Sequence, residues 1–468
     1  MTSTSIAWLR TDLRVADNPA LAAALKSGER VIALYIHETT SGVRPAGAAA
    51  RWWIHHSLEA LGKTLARRGV ELMVRDGDAR DVVPGLVRET EANAVFWNRR
   101  YAPGEREADA AIKTALDEAG IEVESFAANV LVEPWDIATK QGKPYSVYGP
   151  FWKALRDMPI AQPLNAPAET KSIKVGPADE CYRQPAWADK FTPHWRIGEA
   201  AAHESLAHFL DTQLDDYAVG RDFPRQDATS RLSPHLRHGE ITPRQIWAAA
   251  ESVAHADPDK RAAVDKFLSE LTWRDFNYHQ LYHRADITTE SMQPKFAALQ
   301  WRQADDELER WQKGQTGLPI VDAGMREMWE TGFMQNRVRM LTASLLCKNL
   351  LIDWRLGEQW FWDCLVDGDI ANNPANWQWV AGSGMDASPF FRIFNPVTQG
   401  DRFDNGGDYV RRWLPELAGL PDAWVHQPSQ APDDVLRKAG VVIGQTYPAP
   451  IVDLKLSRVR ALEAARGL

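Results

Sequence analysis

The sequence predicts an α/β plus all-α protein: an N-terminal doubly wound parallel α/β domain, a long connector and a C-terminal all-helical domain. Three observations carry this. The first third alternates short β-rich runs with helical stretches, residues 159–195 are proline-rich and aperiodic, and helical periodicity dominates from about residue 198. At 468 residues the chain exceeds one ordinary core. The expected boundaries are 1–130, 131–197 and 198–468.

The strand candidates are IAWLR (6–10), VIALYI (31–36), VELMVR (70–75), AVFW (94–97) and IEVESF (121–126). Between them lie segments at helical spacing, such as AARWWIHHSLEALGKTLARRG. That βαβα order predicts a parallel sheet covered by helices on both faces. No GxGxxG follows the first strand, so an ordinary dinucleotide fingerprint is absent.

Composition narrows the function classes. The hydrophobic share is 44% and the charged share 25%, as in globular proteins. No start resembling a signal peptide and no bilayer-length apolar run is visible, so a membrane role is not expected. Cys181, Cys347 and Cys364 are unclustered and odd in number, which suits reduced thiols in the cytoplasm and predicts no metal site. A net charge of −9 argues against a general nucleic-acid binder but not against a local basic face. Twenty tryptophans, many between residues 273 and 379, are unusual; a large aromatic core accounts for most, and an oxidisable ring system for a few.

Three segments carry chemistry. In DFPRQDATSRLSPHLRHGEITPR (222–244), Thr229, Ser230 and Ser233 offer hydroxyls beside an expected helix start. Phosphate binding and ordinary capping both fit that pattern. In LSELTWRDFNYHQ (268–280), Glu270 and Trp273 stand three apart, so one helix face presents a carboxyl and a flat ring. The stretch 316–396 is helical and holds Asn336, Arg337, Arg339, Asp367, Asp369 and Asn373, polar groups that need partners if buried. Arg339 and Asp367 suit a buried ion pair facing a cofactor.

The motifs TGLPIVDAGMR, MQNRVRMLTASLL, DGDIANN, NWQW and FRIFNP, with WLRTDLRVADNPAL near the N-terminus, resemble the photolyase/cryptochrome family from end to end. The resemblance implies an antenna-type photolyase domain followed by a helical FAD-binding and catalytic domain. It further implies light-driven repair of cyclobutane pyrimidine dimers by electron transfer from photoexcited reduced FAD. Tyr217, Thr229, Ser230, Leu232 and Ser233 are then implied to hold the FAD phosphates and their surroundings, with Arg274 close by. Arg339, Asp367 and Asp369 would serve the flavin and ribose region, and Asn373 would face the reactive nitrogen of the central flavin ring. Trp377, Trp354 and Trp301 match the family's electron-transfer chain, with Trp329 or Trp379 as a branch.

By the same resemblance, Glu270 and Asn336 would hydrogen-bond the lesion, while Trp273, Trp379 and Met340 shape its cleft. Arg221, Arg337 and Arg392 would meet the phosphates of UV-damaged DNA, from which the dimer is flipped out. The family also implies a second, antenna chromophore, a folate such as methenyltetrahydrofolate or a deazaflavin. Glu105 in WNRRYAPGER (97–106) matches a folate contact, whereas Gly104 departs from the asparagine of some relatives. MREMWETG and WVAGSGMD resemble the class III branch, with class I as the alternative. A monomer without an obligate protein partner is expected. A cryptochrome without repair activity and a (6-4) photolyase are the rival readings. Asn373 is of the repair type, and MQNRVRM lacks the histidine pair of (6-4) enzymes.

Overall fold

The computed structural model describes residues 3–174, 176 and 178–466. The expected connector therefore contains two residues, 175 and 177, that lie outside the described residues. The chain forms two compact units, one of Met1–Asp215 with Ser230–Ala285 and the other of Asp216–Thr229 with Asp286–Leu468.

The first unit is built on five parallel strands, β1 (Thr4–Leu9), β2 (Arg30–Glu38), β3 (Glu71–Gly77), β4 (Ala94–Asn98) and β5 (Glu122–Phe126), in the order β3-β2-β1-β4-β5. Each overlaps its expected apolar run. Alternate side chains of β1 enter opposite cores: Ala7 and Leu9 on one face, Ile6 and Trp8 on the other. Helices α1 (Pro19–Ser27) and α2 (Ala48–Ala66) cover the first face through Leu21, Ile54 and Leu58. Helices α3 (Ala79–Thr90) and α4 (Pro103–Glu118) cover the second through Val83, Leu86, Ile112 and Leu116. This is the doubly wound arrangement the sequence predicts.

Strand order reverses between β1 and β4, where such sheets ordinarily take a ligand at the carboxyl ends. Here side chains fill that place. Arg10 reaches Asp109, Arg100 joins Glu38 and Asp109, and the Arg10 guanidinium lies 4.1 Å from the Trp8 ring centre. Asn98 binds Asp12 at 2.6 Å and Asn18 at 2.9 Å. The polar residues of WLRTDLRVADNPAL thus serve a buried network, which is why no glycine fingerprint is needed.

Compactness divides the chain differently from sequence order. The helices Glu199–Thr212, Pro243–Ala256 and Arg261–His283 lie in the first unit, although their periodicity assigned them to the C-terminal domain. Specific polar contacts hold them there. Arg244 pairs with buried Asp17 at 2.9 Å, and Glu240 accepts from the Trp53 indole at 3.1 Å. The connector likewise contributes the helix Tyr148–Leu155 and a 3-10 segment, Ala186–His194, instead of passing as bare linker.

His279 shows how tightly that packing is wired. Its Nε2 accepts from the Tyr145 N–H at 3.0 Å and its Nδ1 lies 3.1 Å from the Pro134 carbonyl, so the neutral ring satisfies both. Burial, reinforced by His283, pushes its pKa down to about 4 from 6.5. Between those values the unfolded chain binds a proton that the folded one refuses, so stability is lost as pH falls from 6.5 toward 4. The expected loss is on the order of 3 kcal/mol at most. Chemical denaturation across that range checks it, and His279→Gln, which keeps a donor and an acceptor, is expected to flatten the dependence.

Candidate active site

In the second unit one apolar core gathers the helices Pro319–Thr331, Asn336–Ser344, Trp354–Cys364 and Asn372–Ala381. Gln335 caps the helix Asn336–Ser344 by accepting from the N–H groups of Arg337 and Val338, and its amide nitrogen donates to the Arg221 carbonyl. One turn later Arg339 donates to both carboxylate oxygens of Asp367, at 3.1 and 2.9 Å, and to the Met334 carbonyl at 2.6 Å. The expected ion pair is therefore formed, with the Asp367 side chain only 4% exposed. Asp369 is buried and accepts from the backbone of Ala371 and Asn372, starting the helix that carries Asn373.

Asn373 is fixed by a residue that sequence reasoning missed. Its amide nitrogen donates to the Glu358 carboxylate at 2.7 Å and to the Glu358 carbonyl at 3.0 Å. Both opposing groups are acceptors, so the nitrogen must face them and the amide oxygen is left to accept. Glu358 is 2% exposed on a neighbouring helix, fifteen residues upstream, and no local spacing signals the pairing.

Trp377 and Trp354 are buried in the same core, and Trp301 packs against its edge, partly exposed. Gly357 makes room for Trp377: a Cβ there would stand 2.2 Å from the indole Cη2. The indole N–H groups of Trp354 and Trp377 are buried and donate to no protein acceptor among the described residues. Trp329, half exposed, lies parallel to Trp360 at 6.1 Å, a pairing the sequence did not suggest. Trp379 is partly buried at the edge of the core, with its carbonyl accepting from Ser388.

Asn336 is exposed at its helix start, its amide 4.0 Å from the Met340 sulfur. Arg337 is less open than a phosphate ligand would be, because it pairs with Asp222 at 2.7 Å and its guanidinium lies over Phe403. Arg392 is exposed beside Phe391. Tyr217 is buried beneath the Arg221 guanidinium, and Thr229 is half-buried.

The remaining site candidates belong to the first unit. Leu232 occupies the N-cap of the helix Ser233–His238 and provides no side-chain cap. Ser230 is half-buried and Ser233 exposed. On the helix Arg261–His283, Glu270 pairs with Lys266, and Trp273 is stacked on Tyr148 with ring centres 3.7 Å apart. Arg274 turns to the Asn129 carbonyl and the Tyr278 ring.

In the expected antenna stretch, a Cβ on Gly104 would stand 2.0 Å from the Gly42 carbonyl oxygen, so no side chain fits at that position, and Glu105 caps its own helix through the Ala102 N–H. The first unit also opens a cavity of about 660 Å³ lined by Trp152, Trp247, Arg156 and Arg261, among others. Its two indoles stand 6.2 Å apart. Their residues lie in separate helices, so sequence gave no sign of the pair.

Comparison with known proteins accounts for this arrangement. Residues 5–168 match the DNA photolyase family model, and residues 267–467 match the FAD binding domain of DNA photolyase. A deoxyribodipyrimidine photo-lyase of Agrobacterium fabrum is 48% identical over 99% of this chain and 98% of its own length. Cryptochrome-1 of Arabidopsis thaliana is 35% identical over 98% of this chain and 70% of its own. The crystal structure of a bacterial class III photolyase from Agrobacterium tumefaciens superposes with a TM-score of 0.94 at 46% identity, covering 100% of this chain and 98% of that one. With two domain models in order along the chain and a relative matched over nearly its whole length, the chain belongs to the photolyase/cryptochrome family.

Proposed function

We propose that the protein is an FAD-dependent deoxyribodipyrimidine photolyase of class III, which splits cyclobutane pyrimidine dimers in UV-damaged DNA under light. The observation that carries this is Asn373, whose amide oxygen is left as an acceptor by the grip of Glu358 on its nitrogen. A reduced flavin presents an N–H to such an acceptor, and an aspartate in its place would favour the chemistry of a cryptochrome. When bound, FAD supplies the light absorption and the transferable electron; the protein supplies binding, orientation and electrostatics.

Arg339, Asp367, Asp369 and Asn373 hold the flavin and ribose region, and Tyr217, Thr229, Ser230, Leu232 and Ser233 the phosphates. Trp377, Trp354 and Trp301 would carry an electron inward toward a bound flavin. Glu270 hydrogen-bonds the lesion and steadies the charge it acquires, a preorganised electrostatic role. Trp273 presents an aromatic face to the dimer, and Asn336, Met340 and Trp379 bound it elsewhere. Arg221 and Arg392 meet DNA phosphates, with Arg337 doing so on exchanging Asp222.

A second, light-harvesting chromophore of the folate type fits the first unit's cavity, where two indoles offer stacking surfaces to a flat heterocycle. The (6-4) reading is disfavoured because its oxygen transfer needs acid–base help, and Gln335 spends its side chain on capping. We further propose a cytoplasmic monomer. Its three cysteines are in no disulfide, which suits a reducing compartment.

Purified, reduced, FAD-loaded protein is expected to repair a defined cyclobutane-dimer oligonucleotide under blue light, to do nothing in the dark and to leave a (6-4) oligonucleotide essentially intact. Glu270→Ala is expected to lower repair per absorbed photon by roughly ten- to a hundredfold, from a lost charge-assisted hydrogen bond of about 1.5–3 kcal/mol, without altering flavin content. Turnover of the (6-4) substrate alone would overturn the reading.

A further inference from the structure

Among the described residues, one cluster of histidine and carboxylate side chains has the spacing of a metal site: His55 and His56 on α2, with Glu59 one turn on. Their ligand atoms all lie within 4.8 Å of one another. The cysteine pattern gave no sign of it, because no cysteine takes part.

Hydrogen bonds behind the cluster fix which nitrogens point forward. His55 Nδ1 lies 3.3 Å from Asp179, whose carboxylate only accepts, so Nδ1 carries the proton and Nε2 the lone pair. Gln184 donates its amide nitrogen to Asp189 at 2.6 Å, so its oxygen faces His56 Nε2 at 3.2 Å and accepts from it. His56 Nδ1 is then the second lone pair. These two nitrogens face the same carboxylate: His55 Nε2 lies 3.8 Å from one Glu59 oxygen and His56 Nδ1 3.5 Å from the other.

Imidazole nitrogens facing a carboxylate call for either a proton or a metal cation between them. Tetrahedral coordination with bonds of 2.0–2.2 Å separates ligand atoms by about 3.4 Å, so the two histidine–carboxylate spacings close with shifts of a few tenths of an ångström, and the nitrogen–nitrogen spacing, within 4.8 Å, closes by about 1.4 Å at most. The back-side partners are those that metal-bound imidazoles use: a buried carboxylate on one, an amide oxygen on the other. Asp179 is fully buried and is also held by His37 at 3.1 Å, whereas Glu59 is about half exposed and gives an ion its entry path.

We propose that His55, His56 and Glu59 bind one divalent transition-metal cation of the zinc type, with water in the fourth position. Nitrogen and carboxylate donors in this number suit zinc rather than magnesium or calcium. Asp179 and Gln184 belong to the connector, and the ion fastens that segment to α2 through the two imidazoles.

The test uses tag-free, chelator-stripped full-length protein, titrated with zinc by calorimetry and with cobalt by visible absorption. The expected result is one ion per chain with a dissociation constant on the order of 1 μM and a tetrahedral cobalt spectrum. Glu59→Gln and His56→Ala are each expected to weaken binding at least about tenfold, and Gln184→Ala, which touches no metal, to weaken it by a similar factor through the lost orientation of His56. Zinc is expected to protect the connector around residues 179–184 from proteolysis. No saturable uptake, or uptake unchanged in Glu59→Gln, would overturn the proposal and show the cluster to be protonated histidines paired with a surface carboxylate.

Discussion

Replacing Trp354 by Phe is expected to slow light-driven reduction of the oxidised flavin by at least about 100-fold, equivalent to roughly 2.7 kcal/mol of added barrier, while chemically reduced enzyme keeps its repair rate. Trp354 is fully buried in the core that also holds Trp377 and is edged by Trp301. Phe fills most of the same volume, so the packing change is small against the change in ease of oxidation. Among the described residues, neither the Trp354 nor the Trp377 indole N–H donates to a protein acceptor. Trp301 is partly exposed. Transient absorption after a flash reads the photoreduction, and repair by dithionite-reduced protein reads the rest. Unchanged photoreduction would mean the electron enters by the Trp329–Trp360 stack, and Trp360→Phe would then be the slow variant.

Much of the fold was legible because its signals are local. Five buried parallel strands are short apolar runs between turn residues, and IAWLR and VIALYI carry that mark without ambiguity. The helices of the catalytic stretch, and the need of Arg339 and Asp367 for each other, could also be read, since two opposite charges within apolar sequence have few alternatives. The unit boundary could not. Helical periodicity between 198 and 285 is genuine, but it does not say which core the helix Arg261–His283 joins. That is decided by Asp275 accepting from Leu131 and by His279 meeting Tyr145 and Pro134, pairs more than 130 residues apart.

Within the site, the missed residues share a physical reason. Glu358 looks like a surface glutamate in WRLGEQWFW until its helix packs beside Asn373. Trp360 gains meaning only from its parallel stack with Trp329. Gly104 read as a departure from the family pattern, yet its cause is a backbone contact with Gly42, sixty-two residues earlier. A single sequence shows which residue types are present. It does not show which of them a long-range contact has already committed.

Arg339→Met is expected to cost about 3–5 kcal/mol and to leave the purified protein poor in flavin, because it strips a buried carboxylate of its guanidinium. Arg339 ties three segments together: its own helix, the turn at Met334 and the loop bearing Asp367. Methionine keeps the length of the stem and loses every donor, so the Asp367 carboxyl, 4% exposed, is left without its partner in a setting arranged for a cation. The Met334 carbonyl loses its partner in the same step. For cooperative unfolding of a chain of 468 residues the loss corresponds to a fall in melting temperature of roughly 3–5 °C. The double variant Arg339→Met/Asp367→Leu separates charge from packing. Removing both charges leaves none to desolvate, so it is expected to recover more than half the stability while remaining unable to hold flavin. A double-mutant cycle on thermal unfolding, with flavin counted by absorbance after release, measures both effects. A cost below about 1 kcal/mol for the single variant would mean that the pair behaves as a solvated surface contact, and the flavin-holding role given to it would fall with that result.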